Sequence, residues 1–160
     1  MSIQVGEKIP SLKLQQKTDE DVADISTDEI FSGKKVALFA LPGAFTPTCS
    51  AAHLPGYVAK ADELKNKGID RIVCLSVNDA HVMKAWGEHQ NVDDRIMMIA
   101  DGNGDFTRAV GLEVDRSSSG MGIRSQRYAM LVNDGIVELL NVEAPMQFEV
   151  SDADTILSSL

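Results

Sequence analysis

Residues 36–49 read VALFALPGAFTPTC: an unbroken apolar run from Val36 to Leu41, a Pro-Gly pair, Thr46-Pro47, and a cysteine two residues further on. So short an apolar run, ended by turn residues, fits a strand buried on both faces. Pro42-Gly43 closes it at its C-terminal end, the edge where open α/β sheets place their sites. Proline is favoured at the first helical position, because the N–H it lacks would go unpaired there anyway. Thr46 is therefore expected as the N-cap, with Cys49 in the first helical turn. Free backbone N–H groups and the positive end of the helix dipole favour an anion at that place, and the thiolate is the reactive form of cysteine. On these local grounds Cys49 is either a nucleophile or a small, inert core residue.

Working outward, Arg71 to Val77, Ile96 to Ala100 and Tyr128 to Val132 repeat the strand pattern. Asn133-Asp134-Gly135 turns the last of these into Ile136–Val142 as a hairpin, and Ser11 to Gln15 is expected as an edge strand. Tyr57, Ala61 and Leu64 give one helix an apolar face up to Gly68. Asn78 is expected to cap a second helix with Val82, Ala85 and Trp86 as its stripe. Phe106 to Val110 suggests a short helix, and Ser151-Asp152-Ala153-Asp154 opens a C-terminal one. This order predicts an α/β fold over residues 1–160 as a single domain, with a mixed central β-sheet and helices on both faces. Polar, glycine-bearing residues 115–122 read as a surface loop.

With 44% hydrophobic and 24% charged residues, the composition is that of a globular protein rather than a disordered one. A net charge of −9, from 24 acidic against 15 basic residues, argues against nucleic-acid and anionic-membrane partners. No run approaches the roughly 18 apolar residues of a membrane span. The opening MSIQVGEKIPSLKLQQ lacks the basic-then-apolar pattern of a secretory signal, so a cytoplasmic location is expected. The two cysteines, Cys49 and Cys74, form no CxxC pair, which disfavours a disulfide scaffold and a thiol-disulfide oxidoreductase. His53, His81 and His89 show no i, i+4 pair, so neither a metal nor another cofactor is expected.

PGAFTPTCSAAHLPG, residues 42–56, resembles the active-site segment of peroxiredoxins, whose signature Pro-x-x-x-Thr-x-x-Cys falls on Pro42, Thr46 and Cys49. Its Gly-Ala-Phe-Thr-Pro and His-Leu-Pro-Gly elements are similar to the type II branch, the peroxiredoxin-5 class. CLSVNDAHVMKAWG (74–87) and RSQRYAMLVNDGIVELLNVE (124–143) resemble further blocks of that branch in the same order. The resemblance implies a thioredoxin-like fold and a thiol-dependent peroxidase acting on hydrogen peroxide and alkyl hydroperoxides. It implies that Cys49 is the peroxidatic cysteine, that Thr46 hydrogen-bonds thiolate and peroxide, that Pro42 shields the sulfur, and that Arg127 stabilises the charged transition state. It also implies a homodimer, with Phe45 and the 115–122 loop near the interface. Such roles suit the reaction, since displacement at oxygen moves negative charge from sulfur to the leaving group and a rigid guanidinium can follow it. In the RxxRY pattern the catalytic position is Arg127, and strand alternation would put Arg124 on the opposite, solvated face.

After attack Cys49 is a sulfenic acid and must be reduced. Some type II members resolve it with a C-terminal cysteine, but Val150 stands at the matching position here. Cys74 is the internal substitute; within Ile72-Val73-Cys74-Leu75 it reads by default as buried core. An external thiol, glutaredoxin with glutathione or thioredoxin, is the expected reductant. His53, four residues past Cys49, is read as structural or orienting, with a charged form able to help hold the thiolate. Phe45, Leu112 and Trp86 read equally well as plain core. A redox sensor or binding module that uses the oxidation of Cys49 is the alternative to an enzyme.

Overall fold

A computed structural model describes residues 1–160. Its main sheet has seven strands in the order β2-β1-β5-β4-β3-β8-β9. In chain order these are β1 (Lys13–Lys17), β2 (Val22–Ser26), β3 (Lys35–Leu41), β4 (Arg71–Ser76), β5 (Met97–Ala100), β8 (Tyr128–Asn133) and β9 (Ile136–Val142). The central strands β3, β4 and β5 are parallel, while β8 and β9 on one side and β1 and β2 on the other run antiparallel to their neighbours. Two further strands, β6 (Glu113–Asp115) and β7 (Ile123–Ser125), form a separate antiparallel ribbon.

Alternation along β3 divides the core in two. Ala37, Phe39 and Leu41 face one layer, built with α2 (Leu54–Asn66), α3 (Ala80–His89) and α5 (Ala153–Ser158). Val36, Leu38 and Ala40 face the other, built with α1 (Thr27–Phe31) and α4 (Asp105–Ala109). Because both faces of β3 are covered, its sequence carries no polar alternation. Mixed sheet and helices on both faces are as the sequence predicts.

Three local readings are corrected. The strand expected at the edge over Ser11 to Gln15 is β1 (Lys13–Lys17), which lies inside the sheet between β2 and β5. Asp79, not Asn78, caps α3: its carboxylate accepts from the Val82 N–H at 2.9 Å. The buried stripe of α3 is accordingly Ala80, Met83, Trp86 and Gly87, with Ala85 exposed and Val82 half-buried. Asn78 instead accepts at Oδ1 from the Ala44 N–H (2.9 Å) and the Ser76 hydroxyl (2.6 Å), bracing the loop after β3 against the end of β4.

Candidate active site

The chain leaves β3 at Pro42-Gly43, is held by Asn78 at Ala44, takes a positive φ of 65° at Phe45, and enters a helix at Pro47. Gly43 makes room for Arg124: a Cβ there would lie 2.8 Å from Arg124 Nη1 and 3.2 Å from Thr46 Cγ2, so the guanidinium would have to move. The carbonyl of Thr46 accepts from the Ser50 N–H at 2.9 Å, so the Cys49 N–H belongs to the preceding turn, whose donors lack intrahelical acceptors. The Thr46 hydroxyl does not act as a cap. It donates to the Gly43 carbonyl at 2.7 Å, leaving its oxygen free to accept.

Residues Cys49–His53 then form a single π-turn, in which the Leu54 N–H donates to the Cys49 carbonyl, before α2 continues as a regular helix. The turn brings Cys49 and His53 onto the same inner face, both fully buried. Such insertions recur where a helix carries function. On the outer side, Trp86 Nε1 donates to the Ser50 hydroxyl (3.0 Å) and Gln90 Nε2 to its carbonyl (3.1 Å), so α3 props the turn.

Arg127 arrives from the link between β7 and β8. Its Nη2 donates to Cys49 Sγ at 3.2 Å and its Nη1 to His53 Nδ1 at 2.9 Å. The Phe148 ring lies 5.7 Å from the guanidinium carbon, within cation–π range. Since Nδ1 accepts, the imidazole proton sits on Nε2, which donates to the Ser151 carbonyl at 3.1 Å. Burial, followed by the Arg127 charge, pushes the His53 pKa down to about 3. The charged form considered from sequence is thus removed, and His53 works as a neutral acceptor.

A cavity of about 410 Å³ opens above this group, with Pro42, Thr46, Arg127, Met121, Met146 and Phe148 in its wall. Cys49 itself is wholly covered and meets the cavity through its contact with Arg127. Arg127, from the link before β8, therefore meets the stretch that carries Pro42, Thr46 and Cys49 at the C-terminal edge of the parallel strands. Arg124 is not the solvated arginine that alternation implied, because β7 ends at Ser125 and the two arginines do not share a strand. Half-buried, it donates through Nε to the Met121 carbonyl (2.9 Å) and through Nη1 to the Pro42 carbonyl (3.1 Å). Cys74 lies in the middle of β4, between Phe39 of β3 and Met98 of β5, in the same core layer as Cys49. It is completely buried, and burial together with the Cys49 charge pushes its thiol pKa far up. Leu112 and Trp86 are core as expected, whereas Phe45 is half exposed.

Sequence reasoning missed the contribution of the C-terminal segment. The Glu143 carboxylate accepts from the N–H groups of Glu149, Val150 and Ser151 at 2.8–2.9 Å and from the Ser151 hydroxyl at 2.7 Å. Burial alone would raise its pKa, but these hydrogen bonds outweigh it and hold the pKa below the usual carboxylate range. Glu143 and Ser151 lie eight positions apart across Pro145, with no periodicity to link them.

The redoxin family profile matches residues 4–157. Peroxiredoxin-2C of Arabidopsis thaliana is 46% identical over 159 residues, covering 99% of this chain and 98% of that protein. The crystal structure of reduced Prx3 from Vibrio vulnificus in complex with H2O2 is 57% identical and superposes with a TM-score of 0.95, covering 98% of each chain. Peroxiredoxin 5 from Alvinella pompejana is 35% identical with a TM-score of 0.87, over 98% of this chain and 97% of that one.

Proposed function

Because this chain belongs to the redoxin family, as a peroxiredoxin and hence a thiol peroxidase, we propose that Cys49 is its peroxidatic cysteine and Arg127, Thr46 and Pro42 its accessory groups. The observation that carries this reading is the 3.2 Å contact between Arg127 Nη2 and Cys49 Sγ at the foot of the cavity. A hydroperoxide in that cavity can donate its O–H to the free lone pairs of Thr46 Oγ1. The Cys49 thiolate attacks the terminal oxygen; an S–O bond forms, the O–O bond breaks, and its electron pair leaves on the other oxygen. That oxygen takes a proton from solvent, giving water from hydrogen peroxide or an alcohol from an alkyl hydroperoxide, and Cys49 is left as a sulfenic acid. The guanidinium follows the charge from sulfur to the leaving oxygen, and Pro42 keeps bulk water off the sulfur.

The reductant is read as an external thiol, glutaredoxin with glutathione or thioredoxin, since Cys74 is buried mid-sheet and Val150 stands where some relatives carry a resolving cysteine. A sulfenic acid is resolved by one thiol to a mixed disulfide and water, and by a second thiol to free Cys49. Two free thiols suit a reducing compartment, in keeping with a cytoplasmic location. The exposed Phe45, Ile123 and Met146 support a homodimer through the active-site face.

Turnover of Cys74→Ala with each candidate reductant tests the cycle. Activity equal to wild type is expected, and intact-mass analysis of oxidised wild type should show one added oxygen on Cys49. Loss of turnover in Cys74→Ala, or a Cys49–Cys74 disulfide, would overturn external resolution. Sedimentation equilibrium of wild type against Phe45→Glu tests the dimer: a dimer that the substitution dissociates is expected, and a monomeric wild type contradicts it.

A further inference from the structure

Arginine on a long side chain has rotamer freedom to lose before it can serve one sulfur atom, and something must hold it. Here the constraint runs through a chain of hydrogen bonds. Glu143 collects three backbone N–H groups and the Ser151 hydroxyl, which fixes the segment 149–151. The Ser151 carbonyl, so placed, accepts from both His53 Nε2 (3.1 Å) and the Tyr57 hydroxyl (2.8 Å). The first of these bonds leaves His53 Nδ1 unprotonated, and that lone pair receives Arg127 Nη1 at 2.9 Å. The ring is clamped by Phe39, Tyr57 and Phe148, with centroids 5.0, 5.7 and 5.0 Å away. With Nη1 so engaged, the planar fork presents Arg127 Nη2 to Cys49 Sγ at 3.2 Å.

We propose that His53 is the positioning residue of this active site, holding Arg127 against Cys49 through Nδ1, while the Ser151 carbonyl fixes the tautomer that makes this possible. The inference rests on the roles given above to Cys49 and Arg127. It assigns the C-terminal segment a part in the chemistry: Glu143 and Ser151 act on the sulfur through two intervening side chains. The charged groups acting on the imidazole are Arg127 on one side and Glu143, through its field, on the other, with the titratable Tyr57 packed against the ring and Cys49 on the same buried face.

The test is a double-mutant cycle on the rate of oxidation by hydrogen peroxide, measured by stopped flow with reduced protein. His53→Leu should slow the second-order step about 10- to 100-fold in the wild-type background, the scale of a misplacement near 1 Å. It should change the rate little in Arg127→Gln, where there is no guanidinium left to aim. His53→Phe, which keeps the aromatic packing, replaces His53→Leu in the cycle should the latter not fold. His53→Gln, which can accept from Arg127 and donate to Ser151, should retain a rate within about threefold of wild type. Nitrogen-15 NMR of the imidazole should show a protonated Nε2 and a bare Nδ1. Equal losses in both backgrounds, an unchanged rate in His53→Leu and His53→Phe, or an Nδ1–H tautomer would each overturn the proposal. An Arg127→Gln protein as fast as wild type would overturn the role of Arg127 first, and the inference with it.

Discussion

His53 stays neutral through the neutral and mildly acidic range, because burial and the adjacent guanidinium push its pKa from 6.5 to about 3. In the unfolded chain the same side chain titrates near its ordinary value, so between these two limits the unfolded state binds the extra proton. Stability from this residue is therefore fully present above pH 6.5 and falls as the pH drops toward 3, by up to about 1.4 kcal/mol per pH unit. Glu143, whose folded pKa is depressed, adds a loss of the same sign at lower pH. Urea unfolding at pH 7, 5 and 4 should show a midpoint that falls steeply with acid, and less steeply in His53→Gln; parallel slopes would contradict a buried neutral histidine. Tyr57→Phe removes one donor to the Ser151 carbonyl and should cost about 1 kcal/mol. At this scale local chemistry singles out Cys49 alone, behind Thr46-Pro47 at a helix start, whereas Pro42, Thr46 and Arg127 enter as site candidates through the resemblance of residues 42–56 and 124–143 to peroxiredoxins. Arg124 was misread because adjacency in sequence was taken for adjacency on a strand.

Among the elements, the helix start decides where the sulfur points. Ala51 is exposed and lies within the π-turn, so deleting it should close that turn to a regular helix without emptying the core beneath α2. Cys49 would rotate by roughly 100°, one helical step, out of line with Arg127. Peroxidase activity should then be lost while far-UV circular dichroism is kept; an active deletion variant would show that the turn is incidental. The π-turn could not be read beforehand, because Ser50-Ala51-Ala52 suits a regular helix equally well. The central strands and the β8–β9 hairpin were readable because continuous apolar runs and Asn-Asp-Gly leave few alternatives. By contrast β2 is a short edge strand with Asp24 inside it and little of it buried, and β6 and β7 have three residues each, too few to show a period.

Across the whole molecule, the fold gathers three separate segments at one edge: the loop after β3 with the π-turn that continues it, the entry to β8, and the stretch from Glu143 to Ser151. No helix is long and apolar enough to cross a membrane. The last segment gives its N–H groups to one carboxylate, while Asn141 Nδ2 donates to its Val150 carbonyl at 2.9 Å, and Glu143→Ala would leave those N–H donors without their acceptor. A loss of about 3 kcal/mol is expected from hydrogen bonds to a buried charge, together with slower peroxide oxidation as Ser151 releases His53. A stability loss with unchanged oxidation rate would separate the segment from the site. The most direct measurement is the second-order rate of oxidation of reduced protein by hydrogen peroxide, in wild type, Cys49→Ser and Arg127→Gln. Wild type should react orders of magnitude faster than free cysteine thiolate, Cys49→Ser not at all, and Arg127→Gln about 10² to 10³ times more slowly than wild type. A wild-type rate no faster than free thiolate, or an Arg127→Gln rate equal to wild type, would contradict a site built on Cys49 and Arg127.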